Sequence, residues 1–112
     1  MSLELVDRHV DAFNHGVGTG DFAPMVALFA PDAVLVFDGV PAGPFEGRDA
    51  IAAAYREQPP DDTIRLLGVR AENDTFVAEY AWDRSPSALA GELTYHLQGP
   101  AITRLTIAYY RD

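Results

Sequence analysis

The strongest constraint on this chain is a change of period at Pro60. Beyond it apolar residues alternate, in Phe76, Ala78, Tyr80 and Trp82, then in Leu93, Tyr95 and Leu97, then in Leu105, Ile107 and Tyr109. A period of two is that of a strand with one buried face. The separators Glu72-Asn73-Asp74, Arg84-Ser85-Pro86-Ser87 and Gln98-Gly99-Pro100 are short and turn-forming, which predicts four antiparallel strands joined as a meander.

Before Pro60 the period is mostly helical. Leu3, Val6, Val10 and Phe13, with Leu5 and Ala12, share one arc behind Ser2 as N-cap. Gly16-Val17-Gly18-Thr19-Gly20 predicts the end of this helix. A short second helix follows, with Asp21 as its cap, Pro24 in its first turn, Met25, Val26, Leu28 and Phe29 on its apolar side, and Pro31 as its stop. Ala33–Phe37 reads as a buried strand that exits through Asp38-Gly39, and the Pro- and Gly-rich stretch from Val40 to Gly47 suits a loop or an edge hairpin. A third helix is expected from Arg48 to Gln58, ending before Pro59-Pro60.

Helices first and strands afterwards predict an α+β fold, with three helices from the N-terminal half packed on a curved, mainly antiparallel sheet that forms a cone with an apolar pocket. Residues 1–112 are expected to make one domain, since 112 residues suffice for a single core and pocket but not for two. Seventeen acidic residues face eight basic ones, for a formal charge of −9. That balance argues against nucleic acid and anionic membranes as partners. Cysteine is absent, which removes thiolate chemistry. The charged N-terminus and short apolar runs lead to the expectation of a cytoplasmic protein.

Within the first helix, His9 falls in the middle of the apolar arc, where an imidazole is either a core residue satisfied by a neighbour or a hydrogen-bond donor to a ligand carbonyl. Asp38, at a strand end, is either a general base facing the pocket or half of a turn pair in solvent. Alternation puts Phe37 and Asp38 on opposite faces, so register decides between them. Tyr55 either orients His9 across the pocket or packs beneath the third helix. Phe37, Tyr80, Trp82, Leu93, Tyr95, Leu105 and Tyr109 are the expected lining for a hydrophobic small molecule. Three scattered histidines give no metal site, and no phosphate loop is present, so neither a metal nor an organic cofactor is expected. The outer sheet face, with Thr94, His96, Thr106 and Ala108, carries sparse charge and is expected to pair two copies as a homodimer.

The segments Gly20-Asp21-Phe22, Val26 to Ala33, and Gly43-Pro44-Phe45-Glu46-Gly47-Arg48-Asp49-Ala50-Ile51 resemble the SnoaL-like and ketosteroid isomerase-like domains of the nuclear transport factor 2-like superfamily. The order of elements resembles that superfamily over the whole chain. The resemblance implies a cone-shaped pocket, dimer formation, and proton transfer next to a carbonyl by an isomerase or cyclase. It places the oxyanion donor at His9, the base at Phe37 or Asp38, a retained tyrosine at Tyr55, and Leu93 where relatives carry a second oxyanion donor. The expected mechanism has Asp38 abstracting a proton, His9 stabilising the enolate oxygen and Tyr55 supporting His9. A noncatalytic ligand-binding or dimerisation module is the alternative.

Overall fold

The computed structural model describes residues 3–110, so Ser2 as a cap lies outside the described residues. Helix α1 (Leu3–Thr19) buries Leu5, Val6, His9, Val10 and Phe13 of the arc its spacing predicts, while Leu3, at its first turn, is exposed and Ala12 half-buried. It does not stop at Gly16 but runs on through Gly18 to Thr19. Gly16 serves packing: a Cβ there would lie 2.3 Å from the Phe22 ring, so only a bare backbone lets that ring close against the helix. The chain turns at Gly20, whose φ of +83° lies in the left-handed region.

Helix α2 (Ala23–Val26) is a single turn. Asp21 Oδ1 accepts the Ala23 N–H at 3.0 Å, a capping contact made from one residue before the N-cap, Phe22. Leu28 and Phe29 are not helical, contrary to the sequence pattern; Phe29 already opens strand β1 (Phe29–Asp38). The cause is long-range, since Phe29 pairs in parallel with Ile102, and the Ile102 N–H donates to the Leu28 carbonyl at 2.9 Å. Pro31 and Asp32 fall within the register shift between Phe29 and Val34 instead of stopping a helix.

Strand β2 (Phe45–Glu46) and helix α3 (Arg48–Glu57) follow, then β3 (Ile64–Glu72), β4 (Thr75–Trp82), β5 (Gly91–Gln98) and β6 (Ala101–Tyr109). The sheet order is β2-β1-β6-β5-β4-β3. The last four strands form the antiparallel meander expected of them, and β1 joins β6 in parallel. This is an α+β fold with its helices against one face of a curved sheet.

Register sorts the side chains. Leu35, Leu105, Tyr95 and Phe76 form one inward row, and Phe37, Ile107, Leu93 and Ala78 form the next. The first row lies with α1 in the core. Asn14 of α1 also grips edge strand β3, its amide donating to the Ile64 carbonyl and accepting the Ile64 N–H, each at 2.9 Å. Val36, Thr106, Thr94 and Val77 form the matching outward row. No helix among the described residues is long and apolar enough to cross a membrane.

Candidate functional site

A cavity of about 460 Å³ opens between the inner sheet face, α1 and α3. Leu93, Ile107 and Phe37 supply neighbouring strands' worth of floor, Tyr80, Trp82 and Tyr109 continue it, and His9, Phe13 and Tyr55 come from the helices. Val40, Ala42, Gln58, Pro60 and Asp61 belong to the loops around its opening.

His9 is 2% exposed. Its Nδ1 lies 2.9 Å from the Tyr95 hydroxyl, and its ring stands edge-on to Tyr95 and Phe29, with centroids 5.3 and 5.9 Å away. Its Nε2 is sealed from solvent and has no partner among the described residues. Burial removes the water that would stabilise an imidazolium and lowers the His9 pKa to about 4, so the ring is neutral at pH 7. The Nδ1–Tyr95 contact is the one hydrogen bond of the His9 ring among the described residues.

The expected partners of His9 are rearranged. Tyr55 does not hold it; Tyr95 does. Tyr55 is buried against Phe22 and Phe13, with centroids 5.1 and 6.4 Å away, and contributes to the cavity wall instead. Asp38 is exposed at the end of β1 and does not line the cavity, because Phe37 pairs with the inward Ile107 and Asp38 with the outward Ala108. The two residues Asp38 and His9 are thus on different sides of the sheet, and the downward shift of the His9 pKa has burial as its cause rather than a neighbouring carboxylate.

Of the expected lining, Phe37, Tyr80, Trp82, Leu93 and Tyr109 border the cavity. Tyr95 and Leu105 do not, for both are fully buried in the core with α1. Phe13 and Ile107 line it without having been singled out, although each carried a signal: Phe13 follows His9 by one helical turn, and Ile107 alternates with Tyr109. Asp61 also lines it, from a loop with no periodicity to reveal it.

The polar groups of the cavity are mostly neutral. Desolvation raises the pKa of Tyr55 and of Tyr80, with smaller contributions from neighbouring phenols, and desolvation raises that of Tyr109. Asp61, near the opening, is paired with Arg84, whose Nη2 lies 2.8 Å from its Oδ1. Arg84 is held in turn by Asp62, which accepts its Nε and backbone N–H groups at 3.0 Å. Those hydrogen bonds hold the Asp62 carboxyl below its usual range. Among the described residues, no three histidine or acidic side chains are grouped as metal ligands.

The family model of the SnoaL-like domain matches residues 6–108. The chain belongs to that family. Solved structures share its fold throughout. A protein from Sphaerobacter thermophilus is 27% identical, covers 99% of this chain and 97% of its own, and superposes with a TM-score of 0.74. A SnoaL-like protein of unknown function from Burkholderia thailandensis is 17% identical, with 98% and 95% covered and a TM-score of 0.74. A putative ketosteroid isomerase from Kribbella flavida is 14% identical, with 97% and 77% covered and a TM-score of 0.70. No protein of curated function matches the sequence.

Proposed function

We propose that this SnoaL-like chain binds a hydrophobic cyclic ketone in the cavity between the inner sheet face, α1 and α3. The single observation that carries this reading is a cavity of about 460 Å³ with apolar and aromatic walls, in which the Tyr55, Tyr80 and Tyr109 phenols are neutral polar groups. Apolar walls with a few neutral donors select a ligand that is mostly hydrocarbon and carries an acceptor. A neutral donor in a dry cavity also polarises a carbonyl and favours its enol form, which is how such a pocket would assist proton transfer beside the carbonyl. Binding is favoured over proton transfer as the core activity because Asp38 lies outside the cavity and the one carboxylate that lines it, Asp61, is occupied by Arg84. The outer sheet face is proposed to pair with a second copy of the chain.

The test is calorimetric titration with 1-tetralone, a bicyclic ketone of suitable size and polarity. Wild type is expected to bind, and Ala54→Trp, which fills the cavity from α3, to bind at least roughly tenfold more weakly. Equal affinity in the two proteins would remove this cavity as the site.

A further inference from the structure

The uncharged row Val36-Thr106-Thr94-Val77 divides the outer sheet face into two unlike halves. On one side of it, across the same four strands, lie Asp38, Ala108, Glu92 and Glu79. On the other lie Val34, Arg104, His96 and Thr75. Three carboxylates therefore flank the row on one side and a guanidinium on the other. Each flanking row stands two residues from the middle one, about 6.7 Å along the strands. Asp38 and Arg104 are exposed, and neither has an ion pair or hydrogen bond among the described residues. They are too far apart to pair within one chain, since Asp38 lies beside Ala108, four residues from Arg104 and about 13 Å away along the strand.

Two copies that stack this face have a choice of two-fold axes. The axis lies in the plane between the sheets, because it must turn one face onto the other. Laid along the strands, it would set each flanking row against its own copy, carboxylates over carboxylates. Laid along the middle row, it reverses the strand direction and sets the acidic half of each copy over the Arg104 half of the other. Every strand then stacks on its own copy. Arg104 comes to lie over Ala108, the small residue of the acidic row, between Asp38 and Glu92 of the adjacent strands. Stacked sheets lie about 10 Å apart, a gap that an arginine above an alanine can bridge to carboxylates on either side. Aligned sheets are rotated by about 30°, which moves a point about 7 Å from the centre of the face by about 3.6 Å. That is less than one strand spacing, so Arg104 stays among these acids.

We propose that the outer face takes a second copy of this chain about a two-fold axis running along the row Val36-Thr106-Thr94-Val77, with Arg104 of each copy held between Asp38 and Glu92 of the other. The inference rests on the proposed self-pairing of this face and goes beyond it, because it gives the orientation of the two copies and the two symmetric charge contacts that fix it. Asp38, which lies outside the cavity, acts here as an interface residue. The contact serves specificity more than strength: an exposed ion pair contributes little, whereas like charges brought together at an interface are strongly disfavoured.

The experiment exchanges charges between copies. Sedimentation equilibrium over a concentration series gives the dimer dissociation constant of wild type, of Asp38→Arg, of Arg104→Glu and of an equimolar mixture of the two variants. Either substitution alone makes both symmetric contacts like-charged and should weaken self-association roughly hundredfold or more. In the mixed dimer one contact joins the native Asp38 and Arg104 and the other joins their two replacements, so opposite charges meet at both. The mixture should therefore associate within roughly tenfold of wild type, a recovery that also requires both variants to be folded. The double variant Asp38→Arg/Arg104→Glu should recover in the same way without a partner variant. If wild type is dimeric but either single variant pairs as tightly, or if neither the mixture nor the double variant recovers, the orientation is overturned and the self-pairing stands. If wild type sediments only at the chain mass of 12.2 kDa, the self-pairing falls and the orientation falls with it.

Discussion

A histidine kept neutral by burial resists protonation in the native state and accepts a proton readily once the chain unfolds. His9 has a pKa of about 4 when folded, against about 6.5 for a solvated imidazole. Above pH 6.5 both states are neutral there and His9 makes no pH-dependent contribution. As pH falls from 6.5 toward 4, the unfolded state gains a proton that the folded state does not, so stability is lost across that window and the loss levels off below it. The full effect is about 3 kcal/mol at 1.36 kcal/mol per pKa unit. Urea denaturation of wild type and His9→Gln at pH 7.5, 5.5 and 4.5 should show the wild type losing more stability than the variant as pH falls. Parallel losses would mean that His9 is already protonated in the fold. This residue was legible in the sequence because one imidazole interrupts an apolar arc. Its partner was not: Tyr95 belongs to a strand far along the chain, and no local pattern distinguishes it from Tyr55 as the group that holds Nδ1. Asp38 illustrates a different limit, since alternation fixes that Phe37 and Asp38 point apart while only the pairing with Ile107 and Ala108 fixes which one points inward.

At the scale of elements, the two glycines inside α1 should respond to substitution in opposite ways. Alanine is favoured over glycine in a helix interior by about 1 kcal/mol. At Gly18, where nothing lies within 4 Å of a new Cβ, Gly18→Ala should stabilise the protein by about that amount. At Gly16 the same change drives a methyl group to 2.3 Å from the Phe22 ring. Overpacking of this kind costs about 1–3 kcal/mol, so Gly16→Ala should be neutral to destabilising by about 2 kcal/mol net. Thermal melts of the two variants beside wild type check the sign at each position, and a stabilised Gly16→Ala would show that Phe22 moves away freely. The example also explains where the sequence pattern stopped short. A glycine-rich run signals chain reversal when read locally, yet Gly16 is there for the ring that follows it and only Gly20 makes the turn. The meander after Pro60 was legible because each strand pairs with its sequence neighbour across a short turn. The first four residues of β1 were not, because their order comes from a parallel strand at the other end of the chain.

For the molecule as a whole, the two faces of the sheet pose unequal problems. The inner face is covered by helices and encloses the cavity. The outer row Val36-Thr106-Thr94-Val77 runs across four strands without a charge, and charged side chains enter beside it, with Arg70 on the edge strand pairing to Glu92 at 3.3 Å. His96 on the same face has a sealed Nδ1 with no partner among the described residues. A β-branched, uncharged row with Glu79 and Glu92 on one side and Arg104 on the other is suited to self-association about a two-fold axis, because the row then meets its own copy. Sedimentation at a few tens of micromolar is therefore expected to give a species of twice the 12.2 kDa chain mass. Thr106→Arg places a guanidinium in the centre of the row, where a two-fold axis sets like charges close together and desolvates them. That variant should sediment as a single chain and still bind 1-tetralone, since Thr106 faces away from the cavity. A wild-type protein that sediments only at 12.2 kDa under these conditions would overturn the dimer. A dimeric Thr106→Arg would move its interface to another surface of the molecule.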